Sequence, residues 1–249
     1  MPERPKFDGL TARELSGLLD LPHVELADVA PSALDIAHRL GIDGAAAGTL
    51  VIVDRQTAGR GRSGAVWHSA AGSGLWLTML ERPADISGLE VLSLRVGLRI
   101  ARALDRFAPE PVRLKWPNDL YVDEKKLGGI LIEARWRERR LEWVAIGVGI
   151  NVLVPGDMPA AAALDPGTQR LEALTEVVPA IRNAAAATGM LTEIEMIEWN
   201  ARDLARGRSC SAPARGVVAG ITPGGELRVA LADSVARFRS GSLILDGMK

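Results

Sequence analysis

Gly59-Arg60-Gly61-Arg62-Ser63-Gly64, closing on Trp67, is the stretch that decides the fold. It follows Thr49-Leu50-Val51-Ile52-Val53, whose β-branched residues predict a buried strand. Three glycines in six positions let the backbone take positive φ and approach a ligand closely. The two arginines between them bring fixed charge and forked donors suited to phosphate or carboxylate oxygens. The spacing also satisfies G-x-G-x-x-G, but a dinucleotide fingerprint needs its last glycine to open a helix that faces the pyrophosphate. Here the chain continues Ala65-Val66-Trp67-His68-Ser69-Ala70-Ala71-Gly72-Ser73-Gly74, which reads as loop. Asp85 lies near the distance expected of a ribose carboxylate, yet Pro83 and its polar surroundings argue against a strand ending there. The Rossmann reading therefore fails. An anion-binding loop at a strand end stands instead, against the plainer alternative of a surface turn with solvated arginines.

With 249 residues the chain can bury a large core plus a small second unit. Its formal net charge of −1 argues against a broad nucleic-acid-binding face. A single cysteine, Cys210, excludes an internal disulfide and a cysteine-based zinc site, and its plainest role is a small side chain near a strand start. His23, His38 and His68 lack metal-ligand spacing, so no metal site is expected on the protein. Met1-Pro2-Glu3-Arg4-Pro5 lacks an apolar signal core and no run reaches membrane-spanning length, which makes a cytoplasmic location the expectation.

Along the chain, residues 1–9 are polar, and Thr11-Ala12-Arg13-Glu14 is a capping-box pattern for a helix over 11–19. A strand is expected over 23–29, then a helix from Pro31-Ser32 to Gly41, and strands over 49–54 and 75–80. The best-defined helical periodicity spans 86–107. Short strands follow over 112–115, 120–122 and 129–134, and a fourth over 141–148. Residues 155–167 read as loop, and helices are expected over 168–188 and 192–205, the first kinked or split by Pro179. From Arg208 the pattern turns to short β segments over 216–221, 227–231, 235–239 and 243–245, a unit too small to stand alone and so packed on the larger one.

Three further motifs carry chemistry. In Lys115-Trp116-Pro117-Asn118-Asp119-Leu120, the proline fixes a turn from which an amide and a carboxylate project at a strand end. Taken alone it also reads as a hairpin turn with an Asx bond to its own backbone. Lys125-Lys126-Leu127-Gly128-Gly129 sets a lysine at the mouth of an apolar strand, from which an ammonium can reach an anion held by the arginine loop. The bland reading is a pair of solvated turn lysines. Gly147-Val148-Gly149-Ile150-Asn151 ends another strand in a glycine pair and an amide. Together these suit an anionic, partly apolar ligand.

With Gln56-Thr57-Ala58 before the arginine loop and Gly74-Leu75-Trp76-Leu77 after it, these motifs resemble biotin–protein ligases in order and spacing, over about residues 23–249. The resemblance implies an α+β fold, a mixed sheet flanked by helices, with a small C-terminal SH3-like β-barrel. It divides the chain into an N-terminal extension over 1–22, a catalytic ligase domain over 23–206 and the C-terminal domain over 207–249. It implies ATP and biotin as substrates with Mg²⁺, formation of biotinyl-5′-adenylate, and transfer of biotin to a lysine of a biotin carboxyl carrier domain of a carboxylase. Related lipoate or octanoate ligases and transferases, and a non-catalytic biotin- or adenylate-binding paralogue, are the alternatives.

Carried over residue by residue, Lys126 and Arg62 are the catalytic candidates. Ser32, Ala33, Gln56, Arg60, Gly61, Arg62, Lys126, Gly128 and Gly129 would meet biotin. Arg60, Arg62, Trp67, Asn118, Asp119 and Asn151 would meet the nucleotide, with Asp119 supporting the pocket or the incoming lysine. Two positions depart from the family pattern. Ala65 stands where an arginine is usual, and Ala33 lacks a hydroxyl expected on biotin's ureido ring, which could weaken binding by ~1 kcal/mol or somewhat more. Residues 1–22 are too few for the DNA-binding domain of some relatives, so nucleic acid is not an expected partner. A homodimer is compatible with the resemblance.

Overall fold

The computed structural model describes residues 5–155 and 161–248. Residues 1–4 of the expected polar N-terminus and 156–160 of the expected loop lie outside them. Seven strands form one mixed sheet: β1 (His23–Ala30), β2 (Thr49–Gln56), β3 (Gly74–Glu81), β4 (Arg113–Lys115), β5 (Asp119–Val122), β6 (Lys125–Arg137) and β7 (Arg140–Asn151). Their order is β1-β2-β3-β7-β6-β5-β4, with only β1 and β2 parallel. The helices are α1 (Ala12–Leu18), α2 (Ala33–Ile42), α3 (Leu92–Leu104), α4 (Arg170–Ala186) and α5 (Glu193–Arg202). The expected α+β class with a mixed, helix-flanked sheet holds.

Alternation along the strands gives the sheet two unlike faces. One carries Leu50, Ile52, Leu75, Leu77, Met79, Ile130, Ile146, Val148 and Ile150, all buried in a continuous core with residues of α1, α3 and α4. The other carries Val51, Val53 and Ala145 under α2, packed against Ala33, Leu34 and Ala37. Beyond α2, side chains give out. Two cross-strand rows run Val51–Thr78–Gly147–Leu131 and Trp76–Gly149–Gly129–Asp119, with glycine at the centre of each. Paired residues share a face, so these glycines leave bare sheet on the α2 side.

Several elements differ from the sequence reading. β6 begins at Lys125 rather than Gly129, because Lys125 and Lys126 pair with Val122 and Tyr121 in a hairpin with a register shift between Leu120 and Tyr121. Lys126 is thus inside a strand, not at its mouth. α4 runs through Pro179 unbroken: Ala173, Leu174, Val177, Val178, Ile181 and Ala184 are fully buried, and that packing outweighs the lost backbone bond. The 86–107 periodicity resolves into α3 flanked by single 3₁₀ turns at Leu89–Val91 and Asp105–Phe107. Thr11 does cap α1, with Glu14 reciprocating at 2.8 Å.

A second, antiparallel sheet ends the chain: β8 (Ser209–Ala212), β9 (Gly216–Ile221), β10 (Leu227–Ala230), β11 (Val235–Phe238) and β12 (Ile244–Leu245), ordered β11-β10-β9-β8-β12. It fits the expected SH3-like unit. β8 was not among the ranges expected, but Cys210, read as a small side chain near a strand start, is buried at its second position. Val218, Ile221, Leu227, Val229, Leu243 and Leu245 join the same core as α3 and the large sheet, so the small unit is packed on the large one as anticipated. Trp116 ties the two, its indole N–H donating to Gly225 O at 3.0 Å. Among the described residues no helix is long and apolar enough to cross a membrane.

Candidate functional site

The bare glycine floor is the base of a cavity of about 230 Å³. Its lid is the arginine loop, which closes into a small hairpin. Trp67 N donates to Gly59 O (2.9 Å), Arg60 bridges Val66, and Gly61 N donates to Ala65 O (2.7 Å). Ser63 and Gly64 turn it with φ of 53° and 79°. The hairpin drops Trp67 onto the floor. A Cβ on Gly149 would come within 2.6 Å of the Trp67 indole, and one on Gly129 within 3.5 Å. The Trp67 ring meets Trp76 edge-on at 6.1 Å, and Lys126 Nζ sits 5.4 Å from its centroid. Gly149 is glycine because an indole occupies the space of its side chain.

Charge is distributed unevenly around this lid. Arg60 is neutralised: its guanidinium donates to Asp35 Oδ1 at 2.6 Å and reaches Glu133 Oε1 at 3.4 Å. Burial works against that charge, but the two carboxylates outweigh it and hold the Arg60 pKa above its ordinary value. Glu133 is braced from behind. Trp143 Nε1–H donates to His38 Nδ1 (3.1 Å), so the ring proton sits on Nε2 and is donated to Glu133 Oε2 at 2.8 Å.

Arg62 has no such escort. It donates to Gly241 O at 3.2 Å and Asn118 Oδ1 at 3.5 Å, and burial pushes its pKa down against the pull of Asp119. Lys126 pairs with Asp119 at 2.7 Å. Lys115 is driven below its ordinary pKa chiefly by burial, opposed by Asp119 and assisted by Lys126. Three cations thus line one end of the cavity with a single carboxylate. A desolvated excess of positive charge is a site for anions.

Of the residues singled out by sequence, Ser32, Gln56, Arg60, Gly61, Arg62, Trp67, Asn118, Asp119, Lys126 and Gly129 line this one cavity. Asn118 is held by mutual bonds with Ile130: its Nδ2 donates to Ile130 O at 2.7 Å, and Ile130 N donates back to Asn118 O at 3.0 Å. Gln56 accepts from Ala33 N (2.9 Å) and donates to Ser69 Oγ (2.8 Å), while Ser32 Oγ caps α2 through Leu34 N. Ala33, Gly128 and Asn151 are buried and do not line the cavity. A Cβ on Gly128 would meet Gly149 O at 2.6 Å, and Asn151 Nδ2 donates to Ala162 O at 3.0 Å, pinning the chain beyond β7. Ala65 lines the mouth, its Cβ facing Gly61 across the turn.

Sequence reasoning did not place Thr78, Lys115, Ser242 or Leu243 in the site, yet all four line it. Lys115 carried a signal, being the first residue of the Trp-Pro-Asn-Asp motif. Ser242 and Leu243 come from the small sheet, and no local pattern points to them.

Mixed sheet, glycine floor, basic hairpin and Lys–Asp pair together form an anion site on an α+β fold, and sequence comparison shows the family to which that fold belongs. The sequence model of the Biotin/lipoate A/B protein ligase family matches residues 27–151, half of the chain. The chain belongs to that family. The bifunctional ligase/repressor BirA of Bacillus subtilis is 40% identical over 139 residues, 55% of this chain and 43% of that protein. The biotin–[acetyl-CoA-carboxylase] ligase of Mycobacterium tuberculosis is 32% identical over 157 residues, 61% of this chain and 55% of that one. The chain thus matches about half the length of these curated relatives. The biotin protein ligase from Aquifex aeolicus, solved in complex with biotin and ATP, superposes with a TM-score of 0.73 at 25% identity, covering 89% of this chain and 97% of that one.

Proposed function

We propose that the chain is an ATP-dependent biotin–protein ligase. In this reading it forms biotinyl-5′-adenylate and passes the biotinyl group to a lysine of a biotin carboxyl carrier domain. The observation that carries the reading is the cluster of Arg62, Lys115 and Lys126 around one carboxylate, at the charged end of a glycine-floored cavity. Joining a carboxylate to an α-phosphate brings two anions together, and concentrated positive charge in a water-poor site lowers that barrier. Lys126, fixed by Asp119, would bridge the acid's carboxylate and the α-phosphate. Arg62, lacking a close carboxylate, would take a phosphoryl oxygen. The hairpin over Trp67 would shield the acyl-adenylate from water.

Arg60 would act mainly as the clasp that keeps the hairpin closed, since Asp35 and Glu133 already consume its charge. Asn151 and Gly128 would shape the backbone around Lys126 rather than touch either substrate. Mg²⁺ would enter on the phosphates of ATP, adding positive charge there. Among the described residues no cluster of three His, Cys, Asp or Glu exists to hold it, and a Mg²⁺ kept by phosphates and water needs at most one or two carboxylates. A cytoplasmic location, the division at residue 207 and a homodimer through a sheet edge or a sheet face belong to the same proposal.

The test is incubation of the chain with ATP, Mg²⁺, a carrier domain and either biotin or lipoate. Biotin label on the carrier is the expected result, and transfer of lipoate alone, or of neither acid, would overturn the reading. Lys126→Ala should slow biotin-dependent pyrophosphate release by roughly 100- to 1,000-fold. Near-normal release would remove Lys126 from the chemistry.

A further inference from the structure

Thr78 sits at the centre of β3 with no exposed surface, and its hydroxyl has no hydrogen-bond partner among the described residues. An unpaired buried hydroxyl is a standing cost that valine, its near-isostere, would avoid. The register shows where that hydroxyl can turn. On one side Thr78 is paired with Val51, on the other with Gly147, which has no side chain. Leu34 roofs Gly147, within 3.2 Å of where its Cβ would lie. Thr78 itself lines the cavity, with its hydroxyl covered in the ligand-free protein.

Thr78 is also at the opposite end from the cations. Asp119 on β5 and Lys126 on β6 stand three and two strand spacings, or about 14 and about 10 Å, across the sheet from β3. The cavity therefore has a charged end and a neutral one. At the neutral end both ends of the Gln56 amide are engaged within the protein, and Ser32 Oγ accepts from Leu34 N. Trp67 supplies another unpaired donor near the floor among the described residues, its indole N–H, which lies over Gly149 while the benzo edge of the ring is on the Gly129 and Lys126 side.

We infer that Thr78 is a specificity-determining residue of this site: its hydroxyl hydrogen-bonds the uncharged polar head of the acid substrate, a urea or amide group. The inference rests on the ligase reading and deepens it. A carboxylic acid lies with its carboxylate toward Lys126 and its far end against Thr78. An acid whose far end is a urea ring satisfies the hydroxyl; one ending in a dithiolane or a hydrocarbon chain leaves it unpaired. Discrimination of this kind is strong because the penalty for the wrong ligand is an unmade buried bond.

The test compares Thr78→Val and Thr78→Ser with the unsubstituted chain in acid-dependent pyrophosphate release, using biotin and lipoate, alongside melting of the ligand-free proteins. Activity of the unsubstituted chain on biotin is measured first, and its absence overturns the ligase reading together with the inference. Given that activity, Thr78→Val should raise the KM for biotin about tenfold, with kcat and the KM for lipoate little changed. Its melting temperature should not fall, since an unpaired hydroxyl has been removed. A biotin KM unchanged by valine, or KM values raised equally for both acids, overturns the inference. Should valine lower the melting temperature, Thr78→Ser decides: a biotin KM near that of the unsubstituted chain supports the hydroxyl, and one matching the valine variant overturns it.

Discussion

The two faces of the central sheet are built from the same strands to opposite ends. The face under α1, α3 and α4 is filled with leucine, isoleucine, valine and methionine at full burial. The face under α2 has a core of only a few residues and then, at Gly129, Gly147 and Gly149, no side chains at all. The first face is where the hydrophobic effect holds the fold together. The second gives up that burial to leave backbone bare for Trp67 and a ligand. Stability and binding are thus separated by strand parity, residue by residue.

That separation can be broken from either side. Ile146→Ala, on the filled face, should cost about 2–5 kcal/mol of unfolding free energy, read from urea denaturation, while leaving the affinity for biotin within about twofold. A comparable loss of affinity would mean that the faces are coupled. Gly149→Ala, on the bare face, forces the Trp67 indole off the floor, because the new methyl would lie 2.6 Å from it. Adenylate formation should drop about tenfold with unfolding free energy lowered by about 1–3 kcal/mol, and a fully active variant would show that the indole's seat does not matter.

The smallest effect is electrostatic. Burial holds Lys115 below its ordinary 10.5 in the free protein, and an anion bound beside it favours the protonated form. Affinity for ATP should then be full below the free-protein value and weaken as pH rises from there toward the higher value in the complex. The window opens below 10.5. A weakening of about threefold between about pH 7.5 and about pH 10 is expected, flattened in Lys115→Arg, whose guanidinium does not titrate there. An unchanged slope in that variant would exclude Lys115 as the source.

The sequence made the basic loop, the Asn118–Asp119 turn and Lys126 legible, because each is a local break in an apolar pattern. It also placed nearly every strand. Thr78 was invisible because threonine inside Leu75–Leu80 is an ordinary β-branched strand residue, and only the pairing with Gly147 shows which way it faces. The contribution of Ser242 was hidden by distance along the chain, and that of Glu133 by its setting at the end of an apolar run. Pro179 did not split α4, because a local rule met a fully buried helix face. Non-local register and packing account for what could not be read.

Trp67 touches the glycine floor, ends the hairpin, and lies beside the Lys126 ammonium. Any acid or nucleotide that draws Lys126 away, or that shifts the hairpin, changes the electric field on that indole. Of the other tryptophans, Trp143 and Trp199 are buried elsewhere and Trp136 is on the surface, while Trp76 meets Trp67 edge-on and Trp116 lines the same cavity. The chain therefore carries its own optical reporter: a Trp67→Phe difference spectrum isolates the signal, and rapid mixing can time the arrival of each substrate without a label.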